Sequence, residues 1–210
     1  MIYLISNTQS LSPNFKSATI DDVVNYCKDK EVLGVDTETE GMDFTCKKMI
    51  MFQIGDEDNQ YIIDTRFISI EPLRGILESK NIIKIFHNAK FDYKFIKATS
   101  NIELECVYDT FLVERILNCG RKGKKYALDA LVEKYCDATL DKSVRNQFIK
   151  LEGKPYTHTQ IEYGAKDVEY LCQIRKKQLK QVESENLFNV VDLENKAVLA
   201  LAEIEYNGLD

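Results

Sequence analysis

The stretch from Val32 to Glu38, Val-Leu-Gly-Val-Asp-Thr-Glu, restricts what this chain can fold into more than any other, because an apolar run ends there in two carboxylates. A run of that kind reads as a buried strand. Its side chains alternate between faces, so Asp36 and Glu38 point the same way. Two like charges side by side at the end of a hydrophobic strand repel each other, and a divalent cation between them removes that cost.

Two further segments carry comparable groups. In KPYTHTQIEYGAKDVEYL, Thr157 and Gln160 stand at capping-box spacing, and Ile161, Ala165, Val168 and Leu171 recur at helical spacing. A helix is therefore expected to start near Thr157, with Tyr163 and Asp167 one turn apart on one face. Gly164 weakens such a helix by roughly 1 kcal/mol relative to Ala, which signals either close backbone approach or tolerance. The apolar run IIKIF reads as another buried strand, followed by a helix from Asn88 or Ala89 that carries Asp92 in its first turn. A carboxylate there also suits the helix dipole alone.

Taken in order, VDTETEG, HNAKFD and YGAKD resemble the motifs of the DEDD superfamily of 3′-to-5′ exonucleases. The match is to the tyrosine subclass found in proofreading domains of family A DNA polymerases, with Glu162 where the sister subclass would carry histidine. The likeness extends to VYDTFLVERIL at 107–117, YALDALVEKYC at 126–136, and the closing LENKAVLALAEIEYNGLD. That closing stretch resembles the junction into a polymerase thumb and speaks against a free RNase D-like RNA 3′ exonuclease, the main alternative. A non-catalytic scaffold, the third reading, sits poorly with a complete set of acids. The implied domains are an exonuclease at 1–186 and a helix at 187–210 leading towards a polymerase thumb that this chain lacks. The motifs of polymerisation are absent, so the chain is expected to be either the exonuclease region of a longer polymerase or a stand-alone relative.

The resemblance implies an α/β, RNase H-like (DnaQ-like) fold, with a mixed five-stranded sheet flanked by helices. It also implies two-metal phosphodiester hydrolysis releasing nucleoside monophosphates from a 3′ end, with two ions about 3.5 to 4 Å apart. Asp36 would bridge both ions, Glu38 and Asp167 would complete the site of the attacking water, and Asp92 would hold the second ion. Tyr163 would orient the nucleophile, its hydroxyl protonated. Hard oxygen ligands favour Mg²⁺ or Mn²⁺, although sites of this superfamily accept Zn²⁺ in one position.

Substrate contacts are expected at Met42, where the family has an apolar wedge beside the terminal base, and at Asn88. For Met42 the alternative is ordinary packing, and for Asn88 a helix N-cap. Thr37, between the two acids, belongs to the same set. Arg121, Lys122, Lys124 and Lys125 in GRKGKK read as a phosphate-contacting loop or as a solvated one. His158 is expected at the surface, and His87 in a loop that either contacts DNA or serves the backbone.

Composition narrows the remainder. The chain has 210 residues, 44% hydrophobic and 30% charged, enough for one core, and only three prolines and nine glycines, so no linker is evident. The net charge of −6 argues against a nucleic-acid partner at first sight. Four of those acids, however, are the ones two divalent cations would neutralise. The six cysteines lack close pairing and read as reduced thiols. With no targeting signal and no membrane-length apolar run, a cytoplasmic monomer is expected, in an infected host cell if the chain is phage-encoded. The expected partners are a DNA 3′ end, single-stranded or frayed, and a polymerase domain of the same parent chain.

The element pattern predicts strands near 2–5, 32–37, 48–55, 60–64, 82–86 and 103–107. Helices are predicted near 20–29, 70–79 and 89–98, with helices thereafter. Three strands on short connections predict an antiparallel meander, and the later strand-helix-strand units predict parallel additions.

Overall fold

In the computed structural model, residues 1–7, 14–119, 121, 123–141, 143–148, 151 and 153–208 are described. Seven strands form one sheet: β1 (Ile2–Ile5), β2 (Phe15–Ser17), β3 (Val32–Thr39), β4 (Met49–Gly55), β5 (Gln60–Asp64), β6 (Ile83–Phe86) and β7 (Val107–Asp109). Their spatial order is β2-β1-β5-β4-β3-β6-β7. The meander β3-β4-β5 is antiparallel, and β6 and β7 join parallel on the β3 side.

The sheet thus has seven strands where five are expected. On the far edge β1 pairs parallel with β5, and three-residue β2 pairs parallel with β1. Three residues are too few to show alternation, which is why β2 escapes a reading of the sequence. The strand expected near 103–107 is displaced to Val107–Asp109. Leu104 is buried without belonging to the sheet, and the ladder with β6 runs from Lys84↔Val107 to Phe86↔Asp109. The helix expected near 70–79 is a 3₁₀ turn, Glu71–Leu73, running into a single turn α2, Arg74–Leu77.

The helices are α1 (Ile20–Cys27), α2, α3 (Ala89–Ser100), α4 (Thr110–Asn118), α5 (Leu128–Cys136), α6 (His158–Ser184) and α7 (Phe188–Asn207). They cover both faces of the sheet. Leu33, Val35, Phe52, Ile54, Tyr61 and Ile63 point into one core, shared with α1, α3 and Ala202 of α7, while Ile62 and Met51 point into a second beneath α6. Alternation on β3 therefore turns Gly34, Asp36 and Glu38 towards α6.

The register that brings α6 to the sheet depends on Gly34 and Gly164. A Cβ at Gly34 would lie 2.6 Å from the Val168 carbonyl oxygen, and one at Gly164 would lie 2.9 Å from Nε2 of Gln53 and 3.2 Å from Sδ of Met51. Close backbone approach is thus the reason for Gly164. The expected capping box at Thr157 is present: its side chain accepts from the Gln160 N–H, and Gln160 Oε1 accepts from the Thr157 N–H at 2.8 Å.

Candidate active site

Strand β3 delivers Asp36 and Glu38 to the α6 face, and its pairing with β4 shifts register just after Glu38, which ends the regular ladder at the site. From α6, Asp167 reaches the same point. One carboxylate oxygen from each of Asp36, Glu38 and Asp167 lies within 4.8 Å of the others. Asp92 arrives from the first turn of α3 and is fixed by the Thr37 hydroxyl, which donates to its Oδ1 at 2.6 Å. Tyr163, one turn before Asp167, lies beside it and favours its ionised form. Glu38, Asp92, Asp167 and Tyr163 are buried and Asp36 is half-buried.

These groups line one cleft of about 420 Å³, together with Met42, His87, Asn88, Phe91, Phe111 and Arg145. Burial pushes the carboxyl of Asp36 up to about 7, opposed by the Arg145 guanidinium and the Thr37 N–H. Glu38, Asp92 and Asp167 are held well above the carboxylate range, first by burial and next by the Asp36 charge. Burial and the neighbouring acids push the Tyr163 phenol up as well, so it stays protonated. Carboxylates crowded and desolvated in this way fit a divalent cation, and one observation supports that fit directly. Oδ1 of Asp167 is buried with no hydrogen-bond partner among the described residues.

Of the expected substrate contacts, Met42 stands 74% exposed at the cleft. Asn88 has φ of 69° and makes no side-chain cap. Its N–H and that of Ala89 instead donate to the two oxygens of Asp109, at 3.0 and 2.9 Å. Thr37 is buried with its hydroxyl on Asp92. Arg121 and Lys124 line an adjoining groove of about 790 Å³ with Arg115 and Tyr126, and Phe111 borders both spaces. Lys125 is exposed outside that lining, and Lys122 lies outside the described residues. His87 joins the Thr110 hydroxyl at 3.0 Å, and His158 faces Glu162 at 3.5 Å.

Arg145 and Phe111 have no counterpart among the sequence-based expectations. Arg145 sits on a 3₁₀ turn, Arg145–Gln147, in a stretch with no periodicity, and nothing local announces that it faces the acids. Phe111, four residues before Arg115, has a recognisable signal in retrospect: it is an aromatic in the first turn of α4, directly after the Asp109 cap.

The sheet topology and the acid cluster together define a nuclease that works with divalent metal. Residues 14–183 match the family model described as 3′-5′ exonuclease, and the chain belongs to that family. It is 31% identical to DNA polymerase I of Aquifex aeolicus over 143 residues, 68% of this chain and 22% of that protein. It is also 27% identical to ribonuclease D of Jannaschia sp. over 165 residues, 74% of this chain and 42% of that protein. The chain thus spans less than half the length of these curated relatives. Among solved structures, Brucella melitensis NrnC with bound Mg²⁺ superposes with a TM-score of 0.78 at 18% identity, covering 99% of this chain and 93% of that one. Escherichia coli RNase D gives 0.75 at 24% identity, covering 87% and 48%. The fold is the RNase H-like one, and no helix among the described residues is long and apolar enough to cross a membrane.

Proposed function

We propose that this chain is a 3′-to-5′ DNA exonuclease, acting as the proofreading region of a family A DNA polymerase and releasing nucleoside monophosphates from a single-stranded or frayed 3′ end. The observation that carries the reading is the convergence of Asp36, Glu38 and Asp167, with Asp92 and Tyr163, in one cleft open to solvent at Met42. Asp36, Glu38, Asp92 and Asp167 would hold two Mg²⁺ or Mn²⁺ ions, with Zn²⁺ tolerated in one position. Bound there, the metal supplies a hydroxide nucleophile at neutral pH and neutralises charge on the phosphate. Tyr163, protonated and beside Asp167, orients the attacking water by a hydrogen bond. Arg145, exposed at the rim and facing the acids, offers its fork of donors to the phosphate. Met42, Asn88 and Thr37 border the terminal nucleotide.

The strand upstream leaves over Phe111 into the groove lined by Arg115, Arg121, Lys124 and Tyr126. That combination of aromatic faces and cations suits a single strand. Lys122 and Lys125 belong to the same basic loop. The DNA side of the reading rests on the closing Glu-Tyr-Asn-Gly-Leu-Asp and on the likeness to DNA polymerase I. Six free cysteines agree with a reducing cytoplasm, and the working form is a monomer or a polymerase-tethered domain.

The test is digestion of 5′-labelled single-stranded DNA and a matched RNA with Mg²⁺, Mn²⁺ or EDTA, alongside Asp36→Ala. Expected is a metal-dependent ladder shortening from the 3′ end of DNA, weaker on RNA and lost in the variant. Faster shortening of the RNA would move the chain to the RNase D-like reading, to which its ribonuclease D relatives also point. DNA left intact under every metal would reject the catalytic reading.

A further inference from the structure

Strand β4 reads Met-Ile-Met-Phe-Gln-Ile-Gly and is buried along its whole length, with Gln53 its only polar side chain. In the antiparallel register Gln53 stands directly opposite Asp36, so the two share the face that α6 covers. Gln53 has no exposed surface, and neither its Nε2 nor its Oε1 finds a hydrogen-bond partner among the described residues. Oδ1 of Asp167, one turn along α6 from the glycine that covers Gln53, is orphaned in the same interface.

A buried carboxamide with both ends unpaired costs stability, and a methionine of the same length, as at Met51 one pleat away, would fill the space without that cost. The chain also places a helix-interior glycine where any Cβ would collide with Gln53. Two destabilising choices at one point, both serving one amide, argue for a task beyond packing.

We infer that Gln53 is a positioning residue of this site: its carboxamide N–H holds the Asp167 carboxylate in the orientation that a bound divalent cation requires. The inference rests on the metal-holding reading of the acid cluster. A group that orients a ligating carboxylate from behind characteristically changes metal affinity about 10- to 100-fold when removed.

The experiment is calorimetric titration of Mn²⁺ into wild type and Gln53→Met, with melting curves of both in EDTA and the Mn²⁺ concentration for half-maximal exonuclease rate. Expected for Gln53→Met is Mn²⁺ affinity lower by about 10-fold or more. Its melting temperature in EDTA should be unchanged or higher, and its rate curve displaced to higher Mn²⁺. An unchanged affinity, whatever the melting temperature, overturns the inference. Should Gln53→Met not fold, Gln53→Leu, which is shorter and cannot overpack the strand, is read by the same criteria. A wild type that binds no Mn²⁺ overturns the metal-site reading itself and this inference with it.

Discussion

Asp36 is central to the site because its environment works against its charge. Its carboxyl is pushed up to about 7 by burial, against about 3.9 for an unfolded aspartate. The folded protein therefore holds that proton more tightly than the unfolded chain does. Metal-free stability should rise as pH falls from about 7 towards 4, and fall as pH rises through 7. In EDTA the melting temperature is expected to increase between pH 8 and pH 5. Asp36→Asn should flatten that rise and melt higher than wild type at pH 8, while losing nuclease activity; a lower melting temperature for Asp36→Asn at pH 8 would contradict the repulsion argument. Tyr163 is different in kind, since it is protonated throughout and contributes a hydrogen bond. Tyr163→Phe is expected to lower kcat by roughly 10²-fold, the low end of what a positioned proton-handling group contributes, with Mn²⁺ affinity unchanged in the titration.

Among the elements, the junction of β7 with α4 is held by one side chain. Asp109 caps α4 through the Phe111 N–H at 2.9 Å and the Leu112 N–H at 3.3 Å, while also receiving the N–H groups of Asn88 and Ala89 at the start of α3. One buried carboxylate thus ties the helix that carries Asp92 to the helix that carries Phe111. Burial pushes its pKa up and the four N–H groups oppose the shift. Asp109→Ala loses a cap and leaves buried N–H groups unpaired, a cost of about 3 kcal/mol. It should be read as a lower urea midpoint with the slope retained. Asp109→Asn keeps an acceptor and is expected to lose less. A second tie joins α4, α5 and α6: Glu114 accepts from Lys134 at 2.7 Å, from the Tyr135 hydroxyl at 2.7 Å and from Gln178 at 3.0 Å.

At the scale of the whole molecule, the stretch 187–210 expected as an appendage is largely α7, and its inner side packs against α3 and β7. Val191, Val198 and Ala202 are buried, Asn195 accepts the Asp109 N–H at 2.9 Å, and Glu203 accepts from Tyr93 and Lys97 at 2.5 and 2.6 Å. Removing residues 187–210 uncovers that surface at a cost of about 5 kcal/mol. A fall in melting temperature on the order of 10 °C is therefore expected by calorimetry, where a loosely attached appendage would leave it unchanged. The sequence alone determined the pieces whose physics is local. The period of two put Asp36 and Glu38 on one face of a buried strand, Thr157 with Gln160 started α6, and helical spacing aligned Tyr163 with Asp167. The tertiary structure alone decided what depends on contacts far apart in the chain. Such decisions include the edge strands β1 and β2, the docking of α7, the facing of Arg145 onto the acids, and the orphaned amide of Gln53 beneath Gly164. Periodicity records which side of an element is buried; it carries no information about which distant side chain will be waiting there.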